Sequence, residues 1–98
     1  MKVYIITYDL VNPGQNYDKL LRRIKSYNGW ARLGGSSYLV TSQLEPDKVR
    51  DHLAEVLDGN DKLFVGTCPV PSAWYGLPED VSKWILENQP KYSWIVSS

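Results

Sequence analysis

The apolar residues of this chain begin with a strand-like run. Residues 2–9, KVYIITYD, are β-branched or aromatic almost throughout and end in the acid Asp9. Such a run can be buried on both faces of a sheet, and it ends where a charge has to reach solvent. We therefore predict a central strand over residues 2–9, with the Asp9 carboxylate at its C-terminal rim. A turn-rich segment, residues 11–14, follows it.

Apolar residues at helical spacing predict two helices. The first covers residues 16–28, with Asn16 as its N-cap and the pair Asn28-Gly29 as its stop. The second covers residues 46–57, with Pro46 in its first turn. Each helix has one apolar stripe for a core, formed by Tyr17, Leu20, Leu21 and Ile24 in the first and by Val49, Leu53, Val56 and Leu57 in the second.

Further β-forming segments complete a β-α-β-β-α-β order. Residues 30–42 have the pattern of a hairpin, with strands at 30–33 and 37–42 around a turn at 34–36. Residues 62–67 have the pattern of a last strand. This order predicts an α+β, ferredoxin-like fold over residues 1–67. In that arrangement the strands at 2–9 and 37–42 are central, and both helices cover the same face of the sheet.

Residues 68–98 form a C-terminal extension of the same single domain. Two prolines predict a stiff connector at residues 68–72, followed by an extra helix at 78–88 and an apolar end at 94–96. Three of the four tryptophans lie in residues 74–98, and so much aromatic area requires cover. We expect the extension to pack on the core or on a second subunit. We also expect the sheet face left open by the helices to form a homodimer.

Length and composition indicate one globular domain. The 98 residues have a formal net charge of zero and contain no apolar run long enough to span a bilayer. The single cysteine excludes an intrachain disulfide, and the first strand has no secretion signal before it, so we expect a cytoplasmic protein without a membrane partner. Charge is uneven, which permits a local positive face. Before Ser37 the bases are Lys2, Lys19, Arg22, Arg23, Lys25 and Arg32, against Asp9 and Asp18.

Most residue types that commonly carry catalysis form no site in this sequence. His52, the single histidine, lies beside the apolar stripe of the second helix and is expected to be a partly exposed helical residue. Cys68 has no cationic sequence neighbour to activate its thiolate, so we expect a packed, inert thiol. No spacing of His and Cys fits structural zinc. The pair Gly34-Gly35 lacks the pattern of a phosphate-binding loop and fits a hairpin turn.

Oxygen donors remain, and Asp9 is the first of them. Mg²⁺ or another hard divalent cation takes oxygen ligands and keeps several waters, so one or two carboxylates with a substrate phosphate suffice. A single Asp9 is a poor site, whereas two copies related by a two-fold axis form an adequate one that would polarise a water. The alternative is that Asp9 only caps the turn or accepts hydrogen bonds from backbone near Gly14.

Other groups are candidates for holding a substrate. Ser36 and Ser37 begin the neighbouring central strand, where their hydroxyls are placed to assist as donors. Guanidinium groups suit phosphates, although a solvated helix face is the other reading of Arg22, Arg23 and Arg32. The segment at residues 74–76, Trp-Tyr-Gly, fits stacking on a base as well as core packing.

Three segments together resemble the small CRISPR-associated adaptation proteins, the Cas-two family, which are the non-integrase partner in spacer acquisition. The same three segments are also similar to the virulence-associated protein D relatives. The segments are the strand VYIITYDL, the LLRR of the first helix and the hairpin GWARLGGSSYLV. The resemblance covers about residues 1–67, and its motif is Tyr8-Asp9 with the strand that begins at Ser37.

The resemblance implies a ferredoxin-like homodimer in which Asp9 of each subunit flanks one divalent metal ion. It implies metal-dependent cleavage of RNA or DNA, or non-catalytic DNA bridging beside a larger CRISPR-associated protein. We expect Asp9 to be the catalytic residue and metal ligand, and we expect phosphate contacts from Arg22, Arg23, Arg32 and Ser37. Two other functions remain open, a dimeric binding or scaffold module without catalysis and a regulatory module that holds a small ligand.

Overall fold

A four-stranded antiparallel sheet organises the computed structural model, which describes residues 1–11, 13–69 and 72–89. With three helices it makes an α+β fold. Among these residues, no helix has the length and apolar character that a membrane span requires. The elements in chain order are β1 (Lys2–Asp9), α1 (Pro13–Ile24), β2 (Gly29–Gly34), β3 (Ser37–Ser42), α2 (Pro46–Ala54), β4 (Lys62–Thr67) and α3 (Glu79–Asn88).

The order in the sheet is β2-β3-β1-β4, so β1 and β3 are its central strands. β1 pairs with β3 as far as Thr7↔Ser37, and on its other side it pairs with β4 as far as Asp9↔Lys62. Beyond β3, the Tyr8 N–H donates to the carbonyl oxygen of Ser36 at 3.1 Å. Asp9 is thus the first residue of this strand without a partner on the β3 side, and it lies at the rim of the sheet.

α1 and α2 cover one face of the sheet, here called the helix face. Side chains alternate along a strand, so every second residue of β1 points to this face. Burying an apolar side chain contributes about 1.5–3 kcal/mol, and this cluster is therefore a main source of stability. Its buried members are Tyr4, Ile6, Tyr8, Leu20, Ile24, Tyr38, Val40, Val49 and Leu53.

α3 packs on the opposite face of the sheet, here called the α3 face, within its own chain. Val81 and Ile85 form a second buried cluster with Val3, Ala31 and Leu39. Of the two packings expected for the C-terminal extension, α3 therefore packs on the core, where it covers the Val3 end of this face. None of the described helices covers the end nearer the β1 rim. The apolar segment predicted at residues 94–96 lies outside the described residues.

Both predicted helices of the core have different limits in the structure. α1 begins at Pro13 instead of residue 16, with a non-helical backbone at Gly14 (φ −3°, ψ −114°), and it ends at Ile24. Asn16 is not the N-cap, because it lies inside α1, and its Nδ2 donates to Asp58 Oδ2 at 2.9 Å. Gly29 already belongs to β2, and α2 ends at Ala54 instead of residue 57.

Candidate functional site

The Asp9 carboxylate has no structural task that the described residues reveal. It is exposed at the end of β1, and no described residue gives it a hydrogen bond or an ion pair. Capping of the following turn falls to Asp61, whose Oδ1 accepts from Val11 N and whose Oδ2 accepts from Asp58 N, both at 2.9 Å. These backbone hydrogen bonds hold the pKa of Asp61 below its usual range. Asp9 is therefore available to solvent or to a ligand.

Asp9 lies at the end of the α3 face that α3 does not cover, where it is joined by residues of β1, β3 and β4. Thr7 shares its side of β1, and Ser37 Oγ donates to Thr7 Oγ1 at 3.4 Å. On β4, Phe64 is opposite Thr7 and Lys62 is opposite Asp9. A shallow pocket between β1 and β4 is lined by four of these residues, with Tyr8 and Leu63. We call Thr7, Asp9, Ser37, Lys62 and Phe64 the rim patch.

The rim patch offers a cation one carboxylate and two hydroxyl groups. These are donors of the type that Mg²⁺ accepts beside its waters. Lys62 places a positive charge opposite Asp9, which disfavours a cation and favours a phosphate. Within residues 1–11, 13–69 and 72–89, no group of three or more His, Cys, Asp or Glu could hold a metal ion. The donors fit a divalent cation only when a second carboxylate arrives from another molecule.

The three predicted arginines do not join Asp9 on one surface of the chain. Arg23 ties α1 to α2, because its Nη1 donates to the His52 carbonyl at 2.6 Å and to Glu55 Oε1 at 2.5 Å. This hydrogen bond with Arg23 lowers the pKa of Glu55. Arg32 is opposite Tyr38 and therefore on the helix face. Arg22 is exposed on α1.

The single histidine and the single cysteine both have packing roles. His52 Nδ1 lies 2.9 Å from Tyr27 Oη, and the two rings meet edge to face at 5.5 Å. Burial raises the pKa of Tyr27. Cys68 is a free thiol, and burial raises its pKa as well, which makes the reactive thiolate scarcer.

The predicted aromatic segment at residues 74–76 divides between two environments. Trp74 packs against the cluster beneath α3, and its Nε1 donates to Ser82 Oγ at 3.0 Å. Tyr75 is 99% exposed. Gly76 has a φ of +80°, a backbone conformation that suits glycine. It turns the chain between Tyr75 and α3. Trp74 is therefore a partly buried packing residue, and Tyr75 is exposed to solvent.

Sequence reasoning missed Lys62 and Phe64 as parts of the site. The signal was present in the alternation of β4, where Leu63 and Val65 pack on the helix face. Phe64 shares the opposite phase with Lys62, and its side chain is 64% exposed. An aromatic residue in the polar phase of an edge strand marks an exposed apolar surface.

Tyr8, the neighbour of Asp9, carries an unsatisfied polar group. Its ring packs 6.2 Å from that of Tyr17 on the helix face. Its hydroxyl is buried and has no hydrogen-bond partner within the described part of the chain. Burial is the main reason that the pKa of Tyr8 is raised, and the tyrosines around it act in the same direction.

Comparisons with known proteins add no relative. No protein-family model matches the sequence, and no curated protein and no solved structure matches it. The resemblance to the Cas-two family therefore remains a prediction from the residues themselves.

Proposed function

We propose that the protein is a homodimeric, metal-dependent phosphodiesterase that acts on RNA or DNA, a divergent member of the Cas-two superfamily. The observation that carries the proposal is the Asp9 carboxylate, exposed and unpaired among the described residues at the rim of a central strand. The strand order β2-β3-β1-β4, with α1 and α2 on one face, supports a ferredoxin-like assignment for the core.

Pairing through the rim patch would supply the second carboxylate. Phe64 is a large apolar side chain that is 64% exposed on the part of the α3 face that α3 leaves free. A two-fold axis beside it would bury both copies of Phe64. The same axis would bring together the Asp9 carboxylates, which lie two residue pairs further along the β1–β4 ladder and on the same face as Phe64. The apolar contact thus gives a reason for the two acids to meet.

The chemistry of such a paired site is phosphodiester hydrolysis. A divalent cation between the two carboxylates would supply a polarised water for attack at phosphorus. The water oxygen forms the new bond to phosphorus, one ester P–O bond breaks, and the departing oxygen takes up a proton. Lys62 would neutralise the phosphate, with Thr7 and Ser37 as hydroxyl donors. Arg22 and Arg32 would contact phosphates further along the bound nucleic acid. Arg23 is engaged with Glu55.

Asp9→Asn tests the catalytic part of the proposal. We expect Mg²⁺-dependent cleavage of a labelled RNA or DNA by the wild type, and loss of cleavage in Asp9→Asn with the dimer retained. Asp18→Asn is the matched control, because Asp18 is an exposed aspartate on α1 away from the rim patch. Calorimetry should find one Mg²⁺ per two chains. Equal cleavage by wild type and Asp9→Asn would end the catalytic assignment.

Phe64→Glu tests the pairing. We expect this variant to sediment as a monomer, because the new charge would have to be buried without a partner. Tyr75→Glu changes another exposed aromatic and should leave the dimer intact. A wild type that is monomeric at all concentrations, or a dimer unaffected by Phe64→Glu, contradicts pairing through the rim patch.

A second candidate is a dimeric nucleic-acid-binding module without catalysis. The lysine opposite Asp9 favours it, because Lys62 attracts a phosphate and repels a cation. Salt-dependent binding of DNA or RNA that persists in Asp9→Asn, in a wild type that cleaves neither, would select this candidate.

A further inference from the structure

A partly exposed tryptophan lies at one edge of the sheet with a cation over its ring. Trp30 is on edge strand β2 and is 39% exposed. Lys25 Nζ lies 5.0 Å from the centre of its ring, within the range of a cation–π contact. The ring of Tyr38, on the neighbouring strand β3, lies 6.2 Å from that of Trp30 and is tilted by 50°. Tyr38 thereby fixes Trp30 from within the fold, while part of the indole remains open to solvent.

Three basic side chains that form no ion pair with another described residue lie at or near this edge of the sheet. Arg22 is exposed in the last turn of α1, and Lys25 directly follows the helix, with its N–H donating to the Leu21 carbonyl at 2.9 Å. Arg32 follows Trp30 by two residues and shares its side of β2. The ion pairs that the described residues form, Lys2–Glu45, Arg23–Glu55 and Arg50–Asp51, include none of these three bases. Asp18, one helical turn before Arg22, is the acidic residue on this side of α1.

We infer that the surface formed by Arg22, Lys25, Trp30 and Arg32, here called the edge surface, binds single-stranded nucleic acid. One nucleobase stacks on the part of the Trp30 ring that is open to solvent. The side chains of Arg22, Lys25 and Arg32 contact phosphates of the nucleic acid. The inference rests on the proposed function for its biological role, and it names single strands as the substrate class. It places their binding away from the rim patch, on the other side of the sheet.

The chemistry of the edge surface distinguishes between possible ligands. Stacking on an aromatic ring tolerates every base, because each base has a flat π-face, and it combines naturally with cations that follow the backbone. A duplex presents its bases stacked on each other, which leaves Trp30 without a partner. An acidic peptide would neutralise the three basic side chains but would leave the indole ring of Trp30 uncovered. A single strand satisfies both the ring and the charges.

The test measures binding of a fluorescent oligothymidylate by anisotropy, in EDTA so that cleavage does not interfere. We expect Trp30→Ala to weaken binding about tenfold or more, and Trp30→Phe to weaken it less because a ring remains. Tyr75→Ala removes a more exposed aromatic, 99% against 39%, on another part of the chain and should leave affinity unchanged. Arg32→Ala should reduce the slope of log affinity against log salt by about 0.7, the value for one phosphate contact on a single strand. Arg50→Ala, with the same change of charge, should not.

Several outcomes overturn the inference. Affinities of Trp30→Ala and Arg32→Ala within twofold of the wild type exclude the edge surface, provided that both variants melt as cooperatively as the wild type. Equal affinity for a duplex, or full competition by oligoglutamate, excludes a single-strand site. Binding that depends on Trp30 in a protein that never cleaves would overturn the phosphodiesterase proposal alone. Cleavage that depends on Asp9 but not on Trp30 or Arg32 would overturn only the edge surface.

Discussion

The backbone N–H of Val11 donates a hydrogen bond to Asp61 Oδ1 at 2.9 Å, although 50 residues separate the two. The second carboxylate oxygen of Asp61 accepts from Asp58 N, and Asp58 in turn accepts from Asn16. One exposed acid thus fixes the loop after β1 to the loop before β4. This arrangement holds the loop beside Asp9 without using the Asp9 side chain.

Replacing Asp61 should cost stability in a pH-dependent manner. Its pKa lies below the ordinary 3.8 in the folded protein because of the two backbone hydrogen bonds. Its stabilisation is therefore complete above the unfolded pKa and is lost as the pH falls through the folded pKa. We expect Asp61→Asn to unfold at lower urea than the wild type at pH 7, with a gap that narrows below about pH 4. A gap that is constant from pH 7 to pH 3 contradicts this, and Asp18→Asn is the control.

Two tyrosines of β1 should respond in opposite ways to loss of their hydroxyl. Tyr8 Oη is buried without a partner within the described residues, whereas Tyr4 Oη donates to the Leu44 carbonyl at 2.7 Å. An unsatisfied buried hydroxyl is costly, and a satisfied one contributes about 1 kcal/mol. We expect Tyr8→Phe to raise the free energy of unfolding by about 1 kcal/mol and Tyr4→Phe to lower it by a similar amount. Urea unfolding measures both, and a loss of stability in Tyr8→Phe would show that its hydroxyl has a partner.

Gly29 should not accept a side chain. A Cβ added there would lie 2.9 Å from Thr41 Oγ1 and 3.2 Å from Trp84 Cζ2, where β2, β3 and α3 meet. Crowding of this kind in a packed region costs about 1–3 kcal/mol. We expect Gly29→Ala to lower the melting temperature. Gly34→Ala, where a Cβ meets nothing within 4 Å, should leave it nearly unchanged. Equal melting temperatures for the two variants would refute the close packing of α3 at this position.

The packing of α3 on its own chain predicts a sharp contrast between adjacent residues. Ile85 is 4% exposed in the cluster beneath α3, and Leu86 is 44% exposed. We expect Ile85→Ala to lower the free energy of unfolding by about 2–5 kcal/mol. Leu86→Ala should change it by less than about 0.5 kcal/mol. Similar losses in both variants would indicate that α3 is covered on two sides.

The strands were predictable because their residues allow few other structures. β1, β3 and β4 have the bounds that the β-branched and aromatic runs predicted, and the rim position of Asp9 followed from them. Helix limits were less predictable, since Asn16 and Gly29 have strong local preferences that tertiary contacts override. The Asn16 side chain finds Asp58, and Gly29 enters a strand beneath Trp84.

The candidate site was predictable only in its first residue. Asp9 is visible in the sequence because a charge ends an apolar run. That Arg23 is engaged by Glu55, and that Arg32 lies across the sheet from Asp9, depends on helix packing and strand register. The role of Asp61 was hidden for the same reason, because its partner Val11 is near in space and far in sequence.

The position of α3 limits the geometry of any flat partner. Because α3 covers the Val3 end of its face, a second sheet that packs on this face has to be displaced toward the Asp9 rim. The helix α3 would clash with a partner sheet in many of the positions that a sheet without α3 would permit. The steric bulk of α3 thus restricts the orientation of a partner sheet before any specific side-chain contact forms.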